Sequence, residues 1–208
     1  MQEMKLDKNE VARRQLGTAL ALFIEDFDPV SVHTLACAGG EVAEHLARRA
    51  GAEPFGSHAL ATFPELDSKR LRRLRNQYWN AFKHATARDG QEREDRDLLE
   101  RFNDLQNDHA LLIGWYDYEH AIEAWPVEAQ AFQAWYFALY PERLNPKFDA
   151  SAYEAMFPSL RGMSRAEQKK ALRDAIGRAR AKPGIMGHPK TERRPLICGS
   201  SAPTKPSA

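Results

Sequence analysis

Apolar residues recur at helical spacing through most of the chain, and this periodicity constrains the fold more than any other feature of the sequence. In the first such segment, residues 7–27, the repeating apolar side consists of Val11, Leu16, Leu20, Phe23, Ile24 and Phe27. Comparable segments, which end near glycine or proline, cover residues 30–50, 69–87, 97–125 and 127–140. No strand-plus-turn pattern accompanies them. The sequence therefore predicts an all-α protein, a helical bundle of about five helices with a small helical C-terminal appendix.

Two glycines, Gly39 and Gly40, lie in the middle of the second predicted helix. Each costs roughly 1 kcal/mol relative to alanine inside a helix, so we expect a compensating interaction. Close approach of another helix, such as the aromatic-rich third one, is one explanation, and a kink is another. A ligand or substrate backbone that lies against the glycines is the third.

The composition is that of an ordinary globular protein. Of the 208 residues, 43% are hydrophobic and 28% are charged, unlike the composition of a disordered chain. The formal net charge of +1 provides no whole-protein field that would attract nucleic acid. Binding of nucleic acid therefore requires a local positively charged surface. The first ten residues lack the apolar core of a signal peptide, and the apolar run at residues 16–24 is too short to span a bilayer. With only Cys37 and Cys198 there is no disulfide framework, and we expect a cytoplasmic protein without membrane association.

We expect three parts in the chain. Residues 5–140 should form the bundle, and residues 141–181 should form short helices packed on or beside it. A capping box from Ser164 to Glu167 opens the last of these helices. Residues 182–208 contain five Lys or Arg and one Glu among many Pro, Gly and Ser residues, which predicts a disordered basic tail.

Two segments connect the predicted long helices, and each has a distinctive composition. Residues 51–64 contain several helix breakers and are predicted to form a loop or lid. Residues 91–104 are rich in acids and arginines with few apolar residues, which favours a solvated face or an irregular segment. Their carboxylates are also candidates to neutralise the positive charge of the basic helix that precedes them.

The segment from Lys69 to Asp89 carries the most informative surface. On a helix, its apolar side consists of Leu71, Leu74, Tyr78, Ala81, Phe82 and Ala85. The opposite side consists of Lys69, Arg72, Arg73, Asn76, Asn80 and Lys83, with Trp79 and His84 on its flanks. Asn is a mediocre helix former, so two of them in one helix that leads to a His indicate a use beyond solubility. A simple solvated face is the alternative interpretation.

Within this segment, the run Trp79-Asn80-Ala81-Phe82-Lys83-His84 resembles the signature of the HEPN superfamily. These proteins are helical bundles whose ribonuclease members carry an Arg, then a polar residue that is often Asn, then a His about four to six residues later. Asn80 matches the polar position and His84 matches the His. Trp79 stands where the family has its Arg, and Arg75, which Asn76 follows, lies too far upstream for the usual spacing.

The resemblance implies a metal-independent ribonuclease or an RNA- or nucleotide-binding bundle that requires no cofactor. The family's His acts as general acid or base and its Arg holds the scissile phosphate, often between two protomers, which implies a homodimer. Imidazole suits proton transfer near neutral pH, and guanidinium clamps phosphate through two hydrogen bonds. The implied catalytic residues are therefore His84 and Lys83, and the implied binding residues are Arg75, Asn76, Trp79 and Asn80. Trp79 has no charge, so Lys83 or Arg75 must supply the positive charge that the family's Arg provides. Trp79 itself either stacks on a base or packs in the structure.

Two other functions remain open. Carboxylate and His side chains on facing helices bind metals in some bundles, and the candidates here are Glu41, Glu44, His45, Asp117, Glu119 and His120. Only Asp117 and His120 approach the Glu-x-x-His spacing. His33 and Cys37, four residues apart, form a further pair, for which packing as core residues is the more common arrangement. A non-enzymatic interaction protein that dimerises through the aromatic fifth helix is the other alternative, and it predicts an exposed His84 without polar neighbours.

Overall fold

The computed structural model describes residues 6–87, 89–145 and 147–198, which form ten α-helices, two 3-10 turns and two very short strands. The helices are α1 (Lys8–Ile24), α2 (Pro29–Arg49), α3 (Phe55–Thr62), α4 (Ser68–Lys83), α5 (Arg96–Leu99), α6 (Leu105–Ile122), α7 (Val127–Leu139), α8 (Ser151–Met156), α9 (Arg165–Arg180) and α10 (Pro183–Met186). The 3-10 turns are η1 (Pro141–Arg143) and η2 (Leu160–Gly162), and the strands are β1 (Trp125–Pro126) and β2 (Thr191–Glu192). The predicted all-α class is confirmed. None of the described helices combines the length and the apolar character that a membrane crossing requires.

The five long helices of the sequence prediction correspond to α1, α2, α4, α6 and α7. Aspartate caps begin three of them, since Asp7, Asp28 and Asp67 each accept hydrogen bonds from backbone N–H groups of the first turn. The predicted loop at residues 51–64 contains α3, and the predicted helix at residues 97–125 divides into α5 and α6. Short helices of this kind bury little apolar surface, so periodicity does not reveal them.

The centre of the bundle is a close packing of α1, α2 and α6. A Cβ atom on Gly40 would lie 3.3 Å from Gly114 Cα, and one on Gly39 would lie 2.8 Å from Leu16 Cγ. Leu16 is fully buried, and its Cδ2 atom would lie 2.5 Å from a Cβ on Gly114. Close helix approach therefore explains the glycines of α2, although the neighbours are α1 and α6 rather than the aromatic-rich helix.

Helix α7 is buried on most of its surface, as its all-round apolar pattern predicts. Phe132 and Trp135 contact Phe23 of α1 edge to face, at centroid distances of 5.5 and 6.0 Å. Trp135 Nε1 donates a hydrogen bond of 2.9 Å to the Gln168 carbonyl of α9. The other helices of the same chain therefore cover the surface that the interaction hypothesis assigns to a dimer.

Helix α9 docks on the bundle through ion pairs as well as through apolar contacts. The Arg165 guanidinium contacts Asp104 Oδ2 at 2.7 Å and Asp108 Oδ1 at 2.5 Å, and Asp108 is fully buried. The buried Lys169 ammonium contacts Asp26 at 2.6 Å and Asp104 at 2.9 Å. Pairing keeps these charges tolerable in the interior, where an unpaired charge costs several kcal/mol.

Residues 182–198, called the C-terminal segment here, differ from the predicted disordered tail. The fully buried Arg13 donates hydrogen bonds to Glu192 Oε2 (2.6 Å), to the Leu196 carbonyl (2.9 Å) and to the Pro195 carbonyl (3.1 Å). Strand β2 pairs in parallel with β1, and Leu196 joins the core. Arg13, the strand pairing and Leu196 together hold a segment whose composition alone resembles a tail. Residues 199–208 of the predicted tail lie outside the described residues.

We predict that Gly17→Ala lowers the free energy of unfolding by about 1–3 kcal/mol. The new Cβ would lie 2.2 Å from the Leu196 carbonyl oxygen and 2.5 Å from Arg13 Nη1, so the C-terminal segment must move. Urea unfolding followed by circular dichroism measures the change.

The matched control is Gly177→Ala in α9, where no described atom lies within 4 Å of the new Cβ. Alanine is the better helix former, so this variant should gain roughly 0.5–1 kcal/mol. Equal effects of the two substitutions would contradict the close contact at Gly17.

Candidate functional site

A cleft of about 860 Å³ opens between α4 and the central helices. Helices α2 and α6 form its floor, and α3 and α4 form its other side. Helix α4 packs loosely, since Tyr78 is its only buried residue among those described and Leu74 on its apolar side is 49% exposed. The apolar stripe predicted for this helix thus covers a cleft rather than filling the core.

One end of the cleft is charged. Glu44 of α2 accepts hydrogen bonds from Arg48 (2.7 Å) and from Arg75 of α4 (3.0 Å). Burial opposes the ionisation of Glu44, yet these two guanidinium groups hold the pKa of Glu44 below its ordinary value. Arg72 also lines this end, and no carboxylate of the described residues lies within 4 Å of it.

The other end of the cleft contains His33, which is only 4% exposed. Its Nδ1 lies 3.1 Å from Asn107 Oδ1, while Asn107 Nδ2 donates to the Pro29 carbonyl and to Asp104. These bonds orient the amide, so Nδ1 of His33 is the donor and Nε2 carries the free lone pair. Nε2 is buried without a hydrogen-bond partner among the described residues, and burial lowers the pKa of His33 to about 4.

The neighbours of His33 in the cleft are neutral as well. Burial raises the pKa of the Cys37 thiol to about 12, which disfavours a thiolate nucleophile or thiolate metal ligand at neutral pH. His109 of α6 lies 2.8 Å from the Tyr136 hydroxyl through its Nδ1. Burial and the nearby Arg143 and Arg165 lower the pKa of His109 to about 4.

The structure divides the six predicted site residues into two groups. Arg75 and Asn76 line the cleft, whereas the other four do not. The Lys83 ammonium lies 3.4 Å from the centroid of the Trp79 ring and covers one of its faces. Asn80 is half-buried on α4, and its carbonyl accepts the backbone N–H of His84.

His84 follows the last residue of α4, and its side chain is exposed. No hydrogen bond or ion pair joins that side chain to another described residue. The interaction hypothesis predicts this environment. Nine residues separate Arg75 from His84, which corresponds to about 13 Å along a helix axis. Within one chain, therefore, these two side chains are poorly placed to act on the same phosphate.

Sequence reasoning does not identify the floor of the cleft. It treats His33 and Cys37 as a metal pair or as core residues, and it does not select His109. The one available signal is that His33, Cys37, Gly40 and Glu44 recur at helical spacing along α2. Which helix faces that stripe depends on tertiary packing.

Several of the predicted metal ligands have other partners. Asp117 Oδ1 accepts the Phe55 backbone N–H at 2.7 Å, and Glu44 pairs with two arginines. His120 Nδ1 lies 2.8 Å from the Tyr116 carbonyl. Across residues 6–87, 89–145 and 147–198, no group of three or more His, Cys, Asp or Glu side chains is placed to hold a metal ion.

Comparison of the chain with family models, with curated proteins and with solved structures finds no match in any of the three. The HEPN resemblance therefore stays a prediction from six residues of sequence.

We predict that the free energy of unfolding falls as the pH is lowered from 6.5 to 4. The folded-state pKa of His33, about 4, is below the ordinary value of 6.5, so in this window the unfolded chain binds more protons than the folded chain. His109 acts in the same direction, whereas Asp117, whose pKa burial raises to about 6, opposes them. His33→Gln should remove up to about 3 kcal/mol of this pH dependence, measured by urea unfolding at several pH values.

His84→Gln is the matched control, because His84 is exposed where His33 is buried. It should leave the pH dependence of unfolding close to that of the unmodified protein. A pH dependence that is unchanged in His33→Gln would contradict the depressed pKa of His33.

Proposed function

We propose that the protein binds single-stranded RNA through the exposed side of α4. The observation that carries the proposal is the charge of this helix. Its sixteen residues include six Lys or Arg and no Asp or Glu. In the described part of the chain, the side-chain cations of Lys69, Arg70, Arg72 and Arg73 form no ion pair with a carboxylate. Unneutralised cations in a row favour a polyanion, because phosphate contacts release bound counterions.

The arrangement of polar groups along α4 supports this proposal. Lys69, Arg73 and Asn80 recur at spacings of four and seven residues, so they share one stripe of the helix, and His84 follows four residues after Asn80. We call Lys69, Arg73, Asn80 and His84 the outer stripe. Helix α4 is about 24 Å long, which is enough to follow several phosphates of an extended strand. The acidic residues 91–104 form no ion pair with the described residues of this helix, so its charge is available.

Trp79 adds an aromatic surface beside the outer stripe. The three other tryptophans are buried, whereas Trp79 is half-buried. Lys83 lies over one face of its ring, and a partly exposed tryptophan beside cations is a surface on which a base can stack. Base stacking of this kind tolerates any sequence, so the proposed binding is not sequence-specific. Cleavage is not part of this proposal, because His84 has no cationic partner on the outer stripe within one helical turn.

The proposal is tested with a fluorescein-labelled single-stranded RNA oligomer, whose anisotropy is followed at 50–300 mM salt. We expect the association constant to fall with salt concentration. The double variant Lys69→Ala with Arg73→Ala should weaken binding about tenfold at low salt and reduce the salt slope by about 1.4, as expected for two lost phosphate contacts on a single strand. Asn80→Ala with His84→Ala should also weaken binding.

Arg178→Ala with Lys182→Ala is the control, because it removes two exposed cations from another surface. It should change the affinity by less than twofold. Absence of binding at 50 mM salt, or equal losses in the two charge-removing variants, would refute the proposal. Quenching of tryptophan fluorescence by unlabelled RNA, lost in Trp79→Phe, would show that α4 is the surface occupied.

A non-enzymatic interaction protein is the second candidate function. The isolated His84 favours it, as do several exposed apolar side chains, among them Phe27, Val30 and Leu105. Asn107 of α6 donates to the Pro29 carbonyl, so these three side chains lie at the same end of the bundle. Light scattering on the purified chain distinguishes a monomer of 23.6 kDa from a dimer. A dimer that Phe27→Ser with Leu105→Ser dissociates, in a protein that does not bind RNA, would favour this candidate.

A further inference from the structure

We infer that the cleft behind α4 binds one nucleoside monophosphate unit, with its phosphate at Arg72 and Arg75 and its base at His33 and His109. The inference deepens the proposed function and rests on it, since it assigns to the cleft one unit of the nucleic acid that α4 attracts. The unit is either a free nucleotide or the terminal nucleotide of a strand. Both sources present the same chemistry to the cleft.

The two ends of the cleft differ in charge along a defined axis. Helix α4 runs antiparallel to α2, because Arg75 pairs with Glu44 whereas Tyr78, further along α4, contacts His33 at the start of α2. From Arg72 to Tyr78, whose ring lies against His33, helix α4 rises about 9 Å. A ligand that spans this distance meets guanidinium groups at one end and neutral rings at the other.

The charged end suits a phosphate. Arg48, Arg72 and Arg75 line it, against the carboxylates of Glu41 and Glu44, which leaves a net charge of +1. Glu44 already occupies Arg48 and one terminal nitrogen of Arg75. Arg72 has no carboxylate partner among the described residues, so its planar guanidinium is free to bind phosphate through two hydrogen bonds.

The uncharged end suits a base. His33 and His109 are neutral at pH 7, Cys37 is a thiol, and the Tyr78 ring lies against His33 at a centroid distance of 5.9 Å. Arg143 also lines the cleft near His109, where its guanidinium lies over the Tyr140 ring and 3.9 Å from the Glu142 carboxylate. The wall that faces the base is therefore formed by imidazole and aromatic groups, and such a wall is the type of site that orients a planar heterocycle. The volume of about 860 Å³ lies within the range of small-molecule sites and excludes a folded macromolecule.

The test is isothermal titration calorimetry of the full chain with three probes: adenosine monophosphate, ribose 5-phosphate and adenosine. Adenosine monophosphate should bind at least tenfold more tightly than either fragment. Arg72→Ala should weaken the binding of adenosine monophosphate at least tenfold and leave the affinity for adenosine unchanged. Arg72 is exposed and lacks an ion partner among the described residues, so its loss should not disturb the fold.

The matched control for the phosphate end is Arg73→Ala, which removes a cation from the adjacent position on the outer stripe. It should change the affinity for adenosine monophosphate by less than twofold while it weakens the binding of RNA. For the base end, Cys37→Leu narrows the cleft beside His33. It should weaken the binding of adenosine monophosphate and of adenosine but leave the binding of ribose 5-phosphate unchanged. Thermal unfolding confirms that each variant is folded.

Competition identifies the source of the nucleotide. If a strand terminus occupies the cleft, adenosine monophosphate lowers the apparent affinity for RNA. An RNA oligomer with a terminal phosphate then binds more tightly than one without. If a free nucleotide occupies it, both ligands bind without competition. Either result supports the inference.

Two results would overturn the inference. One is the absence of heat with millimolar adenosine monophosphate, and the other is an affinity for ribose 5-phosphate equal to that for the whole nucleotide. If RNA still binds the outer stripe in that case, only the cleft assignment fails. If adenosine monophosphate binds while RNA does not, the proposed function fails and the cleft assignment stands.

Discussion

The contact of Leu16 with the glycines of α2 and α6 is the interaction on which the structure depends. Gly39, Gly40 and Gly114 remove the side chains that would separate the three helices, and the Leu16 side chain occupies the space between them. Each glycine weakens its own helix by roughly 1 kcal/mol, so the helices are stable only while they pack together. The packed triple is rigid enough to orient the groups around it, since a close-packed interior has little room for adjustment.

The remaining helices use the surfaces that this triple leaves open. Helices α7 and α9 cover one side with buried aromatic rings and with the ion pairs of Arg165 and Lys169. Helix α4 covers another side only in part, because its buried contacts are concentrated at Tyr78 while most of its residues carry charge or amide groups. The cleft is a consequence of that difference. A helix with too few apolar residues to close the bundle, joined to it at Arg75 and Glu44, leaves space behind it.

Helical periodicity predicted the long helices well, since α1, α2, α6 and α7 each bury a repeating apolar face and the apolar stripe of α4 lies over the cleft. Composition predicted a disordered tail for residues 182–208, whereas in the structure residues 182–198 pack on α1. There the decisive contact is between Arg13 and the carbonyls of Pro195 and Leu196, and a backbone carbonyl leaves no trace in the sequence. The predicted site was affected in the same way. Arg75 and Asn76 face the cleft while His84 ends the helix in solvent, because the turn of the helix separates residues that a short motif groups together.

The sequence alone determined the helical class, the caps that begin the main helices and the cationic character of α4, because these are local properties of spacing and charge. The tertiary structure alone decided which helices meet, that residues 182–198 return to α1, and that His33 and His109 share a cleft with Arg72. These features join residues that lie tens of residues or more apart in the chain. Their contacts arise from packing and from the pairing of buried polar groups, and neither is encoded in the order of neighbouring residues.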